Sequence, residues 1–267
     1  MLSVSELWVY PIKSMAGTAL TVASVLDRGF ADDRRWMVVD GAGHFMTQRS
    51  HPRMARVRPT VDATHLTLEA AGAPPLRLRR DQTWPWEGLA QVWQARCAAV
   101  SMGPEAAAWL SRYLETPCTL VYMPEATLRR VEHGAAGPED LVGFADQFPF
   151  LLTQEASLAD LNARLAAPVP MARFRPNIVV SGGGAFAEDG WQRLQVGEVR
   201  FDVVKPCARC VIIDTDQATG ERRHDVLKPL SRYRRRGKGI IFGQNLIHRA
   251  RGAVRVGDAV MVLTPPA

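Results

Sequence analysis

Short runs of alternating apolar and polar residues dominate the first part of the chain. The run LWVY at 7–10 sends Leu7 and Val9 to one side and Trp8 and Tyr10 to the other, which is the two-residue period of a strand. Similar runs are separated by turn-forming segments: WMVVD, LTLEA, LRLRR and VWQARCAAV, with GAG (41–43) and AGAPP (71–75) between them. The pattern predicts a β-rich segment over residues 4–100.

Two segments have the longer period of a helix. PEAAAWLSRYLE (104–115) begins with proline and spaces its apolar residues by about 3.6 positions. EASLADLNARLAA (155–167) places Leu158, Leu161 and Leu165 on one side. Between them we expect a strand at 118–123 (CTLVYM) and a long polar surface loop over 126–144, which contains glycine and proline.

The last third of the chain returns to strand-like runs. They are FRPNIVVSG (174–182), VGEVRFDVVK (196–205), CVIIDTD (210–216) and AVRVGDAVMVL (253–263). DTDQATG (214–220) has the residues of a hairpin turn. The whole pattern predicts an α+β fold that is predominantly β, with domains over residues 1–100 and 101–267 and a boundary near residues 100–125.

Composition narrows the class of protein. The 267 residues are 47% hydrophobic and 22% charged, which is ordinary for a globular chain. No uninterrupted apolar run reaches the length of a membrane span, and the N-terminus lacks the basic segment of a secretory signal. Four cysteines do not make a disulfide scaffold, so we expect a reducing cytoplasm, with Cys97 and Cys118 as buried small hydrophobic residues.

The positive net charge of the chain is compatible with an anionic ligand but does not require that the ligand is nucleic acid. Lys and Arg number 33 against 27 Asp and Glu, a net charge of +6. The densest basic run is Arg232–Lys238. It is either a solvated loop, a docking surface for an acidic partner, or a phosphate site.

The hexapeptide KPCARC (205–210) holds two of the four cysteines. The β-branched residues that follow predict a strand, in which Cys207 and Cys210 would point to opposite faces. That argues against disulfide exchange, and the sequence offers neither a second cysteine pair nor closely spaced histidines for zinc. Two interpretations stay open: both cysteines pack in a core, or one thiolate, favoured by Lys205 and Arg209, ligates a metal held mainly by another group.

Several stretches in a fixed order resemble one family across nearly the entire chain. They are VYPIKS (9–14), DRRWMVVD (33–40), MTQR (46–49), FRPNIVVSG (174–182), KPCARCVIIDTDQATG (205–220), FGQNLI (242–247) and VRVGDAVMVL (254–263). This series is similar to the MOSC family with its N-terminal β-barrel domain, in particular to the mitochondrial amidoxime-reducing component and its bacterial counterparts. The resemblance implies a MOSC β-barrel packed with a β-rich N-terminal domain.

The resemblance also implies a molybdenum cofactor, Mo-molybdopterin, and no need for pyridoxal phosphate. In the family the second cysteine of the CxRC motif ligates molybdenum, and that position is Cys210 here. Residues that would hold the pterin and its phosphate map to Lys13, Ser14, Arg34, Arg175, Asn177 and Arg209. Cys207 would pack beside the site rather than ligate.

The implied reaction reduces a small N-hydroxylated compound to the corresponding N–H compound. Because no cysteine cluster follows Cys210, electrons would come from a separate donor, either ferredoxin-like or a haem protein. Asp216 and His224 are candidate proton sources through proximity in sequence alone. Two rival interpretations use the same family: a carrier of sulfur or of the cofactor on Cys210 without turnover, and a silent binding module.

Overall fold

A computed structural model describes residues 1–86 and 88–263 of the chain. Its strands are, in chain order, β1 (Ser3–Val9), β2 (Thr18–Leu20), β3 (Val22–Leu26), β4 (Gly29–Phe30), β5 (Trp36–Val39), β6 (Arg58–Val61), β7 (His65–Ala70), β8 (Ala73–Arg79), β9 (Ala90–Val92), β10 (Ala95–Cys97), β11 (Val100–Ser101), β12 (Thr119–Tyr122), β13 (Phe150–Gln154), β14 (Ile178–Ser181), β15 (Arg193–Val196), β16 (Val199–Ala208), β17 (Arg235–Arg236), β18 (Gly239–His248), β19 (Gly252–Arg255) and β20 (Val260–Val262).

Helices are few and short. The α-helices are α1 (Pro104–Leu114), α2 (Glu155–Asn162) and α3 (Leu227–Ser231), and single 3-10 turns occupy Pro52–Arg56, Met171–Arg173, Ala187–Gly190 and Val211–Asp214. The predicted fold class, α+β and predominantly β, is confirmed. None of the helices among the described residues is long and apolar enough to cross a membrane.

One nine-stranded sheet organises the fold. Its order is β2-β1-β14-β13-β18-β16-β15-β20, with β17 paired to β18. The pair β13–β14 is parallel, whereas β1 pairs antiparallel with β14, and β16 with β18. A strand from the start of the chain therefore lies in the same sheet as strands from its second half. The division into domains at residue 100 stays a prediction.

The alternation from Leu7 to Val9, together with a shift of register between Val4 and Glu6, explains why β1 takes this place in the sheet. Val4, Leu7 and Val9 point into an apolar core together with Phe150, and all four are at most 5% exposed. A second core forms where α1 packs on β12, around Trp36, Leu110 and other apolar side chains. Burial of these faces supplies the main driving force for the fold.

Three predicted elements differ from those observed. The helix predicted over 155–167 ends at Asn162, because the Asn162 side chain exchanges hydrogen bonds with the Val169 backbone and turns the chain back. The strand predicted over CVIIDTD is wrong, since Val211–Asp214 forms a 3-10 turn. There the Asp214 carboxylate accepts hydrogen bonds from the backbone of Val226 and Leu227 at 2.9 and 2.8 Å, which outweighs β propensity.

The third difference concerns the predicted surface loop over 126–144. It forms no helix or strand beyond one isolated bridge between Arg130 and Leu141. It is nevertheless anchored in the interior, because Val142 and Phe144 are at most 1% exposed. The loop therefore packs against the body of the protein and brings the residues that follow it to a cavity. The turn predicted at DTDQATG is confirmed: Gly220 N–H bonds back to the Asp216 carbonyl at 2.8 Å.

Candidate cofactor-binding site

One cavity gathers every residue that the resemblance proposed for the cofactor. Its lining includes Lys13, Ser14, Arg34, Arg175, Asn177, Arg209 and Cys210, together with Cys207. Lys13 and Ser14 follow β1, Asn177 immediately precedes β14, and Cys207 lies in β16. Residues from distant parts of the sequence thus share one concave surface, as is typical of small-molecule sites.

Three of these residues have a left-handed backbone, which is uncommon outside glycine. The φ angles of Ser14, Arg34 and Arg175 are 67°, 48° and 56°. Each such residue costs on the order of 1 kcal/mol or more, and such conformations cluster at binding and catalytic sites. The concentration of three around one cavity marks it as a site under functional constraint.

Lys13 is buried and ion-paired. Its side chain is 6% exposed, and Nζ donates to the Phe144 carbonyl at 2.8 Å and to the Asp146 carboxylate. Burial lowers the pKa of Lys13 to about 8, although the charge and hydrogen bond of Asp146 raise it in part. Burial alone would raise the pKa of Asp146, but Lys13 and Arg49 bring it well below its ordinary value. At neutral pH the pair is therefore ionised.

Tyr10 supports two of the arginines from behind. The Arg34 and Arg175 guanidinium carbons lie 4.3 and 4.2 Å from the Tyr10 ring centroid. A Cβ atom at Gly17 would lie 2.5 Å from the same ring, so only glycine fits there. Burial lowers the pKa of Arg175 to about 10, and burial likewise raises the pKa of Tyr10. Arg175 therefore stays charged at neutral pH, and cation–π contacts hold both guanidinium groups against the ring.

Hydrogen bonds fix the same arginines in place. Arg34 donates to Asp33 at 2.6 Å and to Asn177 Oδ1 at 3.0 Å. Arg175 donates to the Met15 carbonyl at 2.6 Å. Because Asn177 is 1% exposed and also donates to the Trp8 carbonyl at 3.2 Å, its orientation is set by the protein. The cationic groups are thus preorganised.

The two cysteines occupy different local structures. Cys207 lies in β16, whereas the strand ends at Ala208 and Cys210 caps the following 3-10 turn. The prediction that both belong to one strand, facing opposite sides, is therefore wrong, and both line the same cavity. Arg209 separates them: it donates to Cys207 Sγ at 3.0 Å and to the Phe174 carbonyl at 2.6 Å.

Arg49 is a functional candidate that the sequence argument missed. Its guanidinium donates to Cys210 Sγ at 3.4 Å and lies 3.6 Å from the Asp146 carboxylate. A chain of contacts therefore runs from Lys13 through Asp146 and Arg49 to the Cys210 sulfur. The segment MTQR contributed to the family resemblance, but no spacing rule connects Arg49 to a cysteine 161 residues further on.

The chemistry of this donor set fits a pterin cofactor with a phosphate. Arginine, lysine and a hydroxyl suit phosphate oxygens, and a fixed amide suits the alternating donors and acceptors of a pterin edge. Arg209 Nε is buried and lacks a hydrogen-bond partner among the residues that the structure describes. An acceptor on a ligand in the cavity would satisfy that donor. Two partly exposed thiols, Cys207 and Cys210, line the same cavity, and a thiolate sulfur is a suitable ligand for a soft metal.

Other sequence candidates lie away from this chemistry. Asp216 and His224 do not line the cavity. Asp216 instead shapes its own turn, accepting from the backbone of Ala218 and Thr219 at 2.9 and 3.1 Å, and the His224 side chain is 72% exposed. Cys97 and Cys118 are buried, as predicted.

The basic run Arg232–Lys238 is not simply a solvated loop. The Arg234 side chain is 9% exposed and donates to Asp189 at 2.7 Å, and Arg236 contacts the same carboxylate at 2.7 Å. Part of the run forms β17, paired with β18. Arg234 and Arg236 therefore share one carboxylate within the protein, and Arg234 is buried, which weakens the interpretation of Arg234–Arg236 as a docking surface.

Comparison with known proteins agrees with the family resemblance. The family model of the MOSC N-terminal beta barrel domain matches residues 1–117, and that of the MOSC domain matches residues 139–261. The chain is 34% identical to mitochondrial amidoxime-reducing component 1 of Homo sapiens, covering 98% of this chain and 83% of that protein. The Mus musculus protein of the same name is 36% identical, with 98% and 82% covered.

A second group of relatives is larger than this chain. Molybdenum cofactor sulfurase of Homo sapiens is 29% identical over 92% of this chain, but the match covers only 30% of that protein. The predicted resemblance is confirmed, and the chain belongs to the MOSC family, with the MOSC N-terminal domain preceding the MOSC domain.

Proposed function

We propose that this protein is a molybdenum-cofactor-dependent reductase that removes oxygen from small N-hydroxylated compounds. The balanced reaction takes R–NH–OH, two electrons and two protons to R–NH₂ and water. The observation that supports the proposal is the meeting, in one cavity, of the Cys210 thiol with fixed cationic and amide groups from both ends of the chain. The relatives named for amidoxime reduction support the choice of substrate class.

Each residue has a proposed role. Cys210 ligates the metal, and Arg209 holds the adjacent part of the cofactor. Lys13, Ser14, Arg34, Arg175 and Asn177 hold the phosphate and the pterin, and the Asn177 amide also fixes Arg34 in place. The cofactor, when bound, supplies the oxygen-accepting redox chemistry. The protein contributes position, charge and a sulfur ligand.

The electrons come from a separate donor protein in this proposal, either ferredoxin-like or a haem protein. The four cysteines are free, which suits the reducing cytoplasm that we propose as the location. Activity can be tested without knowing the donor, because a chemically reduced viologen dye delivers electrons directly.

The experiment is production of the protein in a host that synthesises the pterin cofactor. We expect molybdenum near one atom per chain and consumption of an amidoxime with reduced dye, both measured beside the Cys210→Ala variant. Purified protein that holds molybdenum and pterin but reduces no N-hydroxylated compound would overturn the reductase proposal.

A second candidate function is a carrier of sulfur or of the cofactor. The match of 92% of this chain to molybdenum cofactor sulfurase favours it. In that case Cys210 would carry a persulfide or a transferable cofactor without turnover. Mass spectrometry distinguishes the two functions: the mass of one added sulfur on the Cys210 peptide, in protein without molybdenum, supports the carrier.

A further inference from the structure

A second cavity opens beside the Cys210 sulfur. It shares five lining residues with the first cavity: Arg49, Asp146, Gln147, Ala208 and Cys210. Its other walls include Val92, Trp93 and Ala95, from the β9–β10 hairpin, and the loop around Glu132. The Cys210 thiol thus lies where the proposed cofactor cavity meets another space open to solvent.

Trp93 is an unusual residue for its place in the hairpin. The turn between Val92 and Ala95 has only two residues, and Trp93 has a φ of 54°. Glycine, asparagine or aspartate are the usual residues there, and a bulky side chain in this conformation is strained. The tryptophan is also 44% exposed. Trp93 therefore combines a strained backbone with an exposed indole, and packing in a core does not account for either.

Neighbouring side chains hold the exposed indole in place. The Arg49 guanidinium carbon lies 4.7 Å from the Trp93 ring centroid, and the Phe45 ring meets it at 5.1 Å with an interplanar angle of 61°. The same Arg49 donates to Cys210 Sγ at 3.4 Å. One side chain therefore sets the distance between an aromatic surface and the thiol.

We infer that the second cavity is the substrate cleft and that the Trp93 indole binds a planar aromatic group on the N-hydroxylated substrate. This inference rests on the proposed function. Stacking on a fixed indole is favourable for aromatic rings, and Ala95 and Ala208 add small apolar contacts. The N–OH group of such a substrate then points toward Cys210, where the two cavities meet.

The test compares two amidoximes that differ only in the aromatic ring. With cofactor-loaded protein and reduced dye, Trp93→Ala should raise KM for benzamidoxime roughly 3- to 10-fold, the range expected for one lost aromatic contact. KM for acetamidoxime and the molybdenum content should not change. Trp93→Phe should restore most of the lost affinity. Trp84→Ala is the matched control, because Trp84 is 36% exposed and lines neither cavity.

The outcomes separate this inference from the function on which it rests. If wild-type protein reduces both compounds and Trp93→Ala changes neither KM, or both equally, the substrate cleft is wrong and the reductase stands. If loaded wild-type protein reduces neither compound, the reductase and the cleft are both wrong. Should Trp93→Ala fail to fold, Trp93→Leu, which keeps an apolar side chain, should show the same selective loss, and its absence would refute the cleft.

Discussion

The Arg34 guanidinium donates a hydrogen bond to Asn177 Oδ1 at 3.0 Å, joining residues 143 positions apart. The same Asn177 oxygen accepts from the Leu151 backbone at 3.2 Å, which places it at the ends of β13 and β14. Arg34 also pairs with the buried Asp33. The cationic group that faces the cavity is therefore anchored to both halves of the chain before any ligand arrives.

Replacing Arg34 should weaken cofactor binding. A hydrogen bond to a charged group contributes roughly 1.5–3 kcal/mol, so Arg34→Ala should bind the cofactor about 10- to 100-fold more weakly. Arg34→Lys should recover only part of this, because lysine lacks the planar fork that reaches two acceptors. Molybdenum and pterin per chain give the measurement. Arg77→Ala, whose side chain is 63% exposed, is the control; full occupancy in Arg34→Ala would contradict a binding role.

The two cysteines of the KPCARC segment provide a matched pair of variants. Cys210→Ala should keep the fold and the bound pterin but lose reduction of amidoximes, because the proposed metal ligand is gone. Cys207→Ala removes only a sulfur that accepts from Arg209 at 3.0 Å, and should retain at least half of wild-type turnover. Pterin fluorescence, molybdenum content and turnover distinguish them. Wild-type activity in Cys210→Ala would refute the ligand assignment.

Local sequence patterns predicted the elements with strong periodicity. The spacing in PEAAAWLSRYLE predicted α1 almost to its last residue, because its apolar face packs on β12 as the pattern requires. For Val211–Asp214 the same reasoning predicted a strand, and the structure has a 3-10 turn. Its β-branched residues favour a strand, but backbone hydrogen bonds to the Asp214 carboxylate are formed by residues further along the chain, which no local window contains.

The candidate site was only partly predictable for the same reason. The resemblance supplied Lys13, Arg34 and Cys210 from motifs, and the fold brings them to one cavity. It gave no indication of Asp146, which comes from a loop without regular structure. The Asp146 carboxylate matters because of what surrounds it, Lys13 and Arg49, and these contacts exist only in the folded chain.

The buried Lys13 predicts a pH dependence of cofactor retention. Its pKa falls from 10.5 to about 8, mainly through burial. The folded protein therefore releases this proton before the unfolded chain does, so between about pH 8 and 10.5 rising pH favours folding through this group. In the folded protein the ammonium loses its charge, and with it its attraction for a phosphate, as the pH rises through about 8.

Retention of the cofactor should consequently decrease between pH 7 and pH 9. The measurement is pterin and molybdenum that stay with the protein through gel filtration at each pH. In Lys13→Met the retained fraction should be lower at neutral pH and show no such decrease. A wild-type protein that retains the cofactor equally at both pH values, or a Lys13→Met variant with the same slope, would rule out the role of this ammonium.

Tyr10 should stabilise the protein through its ring and not through its hydroxyl. Tyr10 Oη is buried without a hydrogen-bond partner among residues 1–86 and 88–263, while the ring contacts Arg34 and Arg175. Tyr10→Phe should leave the free energy of unfolding unchanged or raise it by up to about 1 kcal/mol. Tyr10→Leu should lower it by about 2 kcal/mol or more. Urea denaturation measures both; equal losses would mean that the hydroxyl has a partner.

Arg234 and Arg235 are adjacent but should respond differently to substitution. Arg234 is nearly buried, donates to Asp189 at 2.7 Å and to the Ile241 carbonyl at 3.2 Å, and packs 3.9 Å from the Phe186 ring. Because Arg234→Ala removes these contacts at once, it should lower the free energy of unfolding by roughly 2–3 kcal/mol. Arg235 is exposed in β17, so Arg235→Ala should change the free energy of unfolding by less than about 0.5 kcal/mol.

Substitution of the exposed residues Arg235 and Lys238 tests where an acidic electron donor docks. If the exposed part of the basic run binds the donor, Arg235→Ala combined with Lys238→Ala should raise the apparent KM for a reduced ferredoxin-like protein while turnover with reduced dye stays constant. Both side chains are exposed and can contact a partner without disturbing the fold. High salt should reduce the difference between wild type and variant, because screening weakens attraction between exposed charges. Donor kinetics unchanged by the double substitution would place the docking surface elsewhere on the protein.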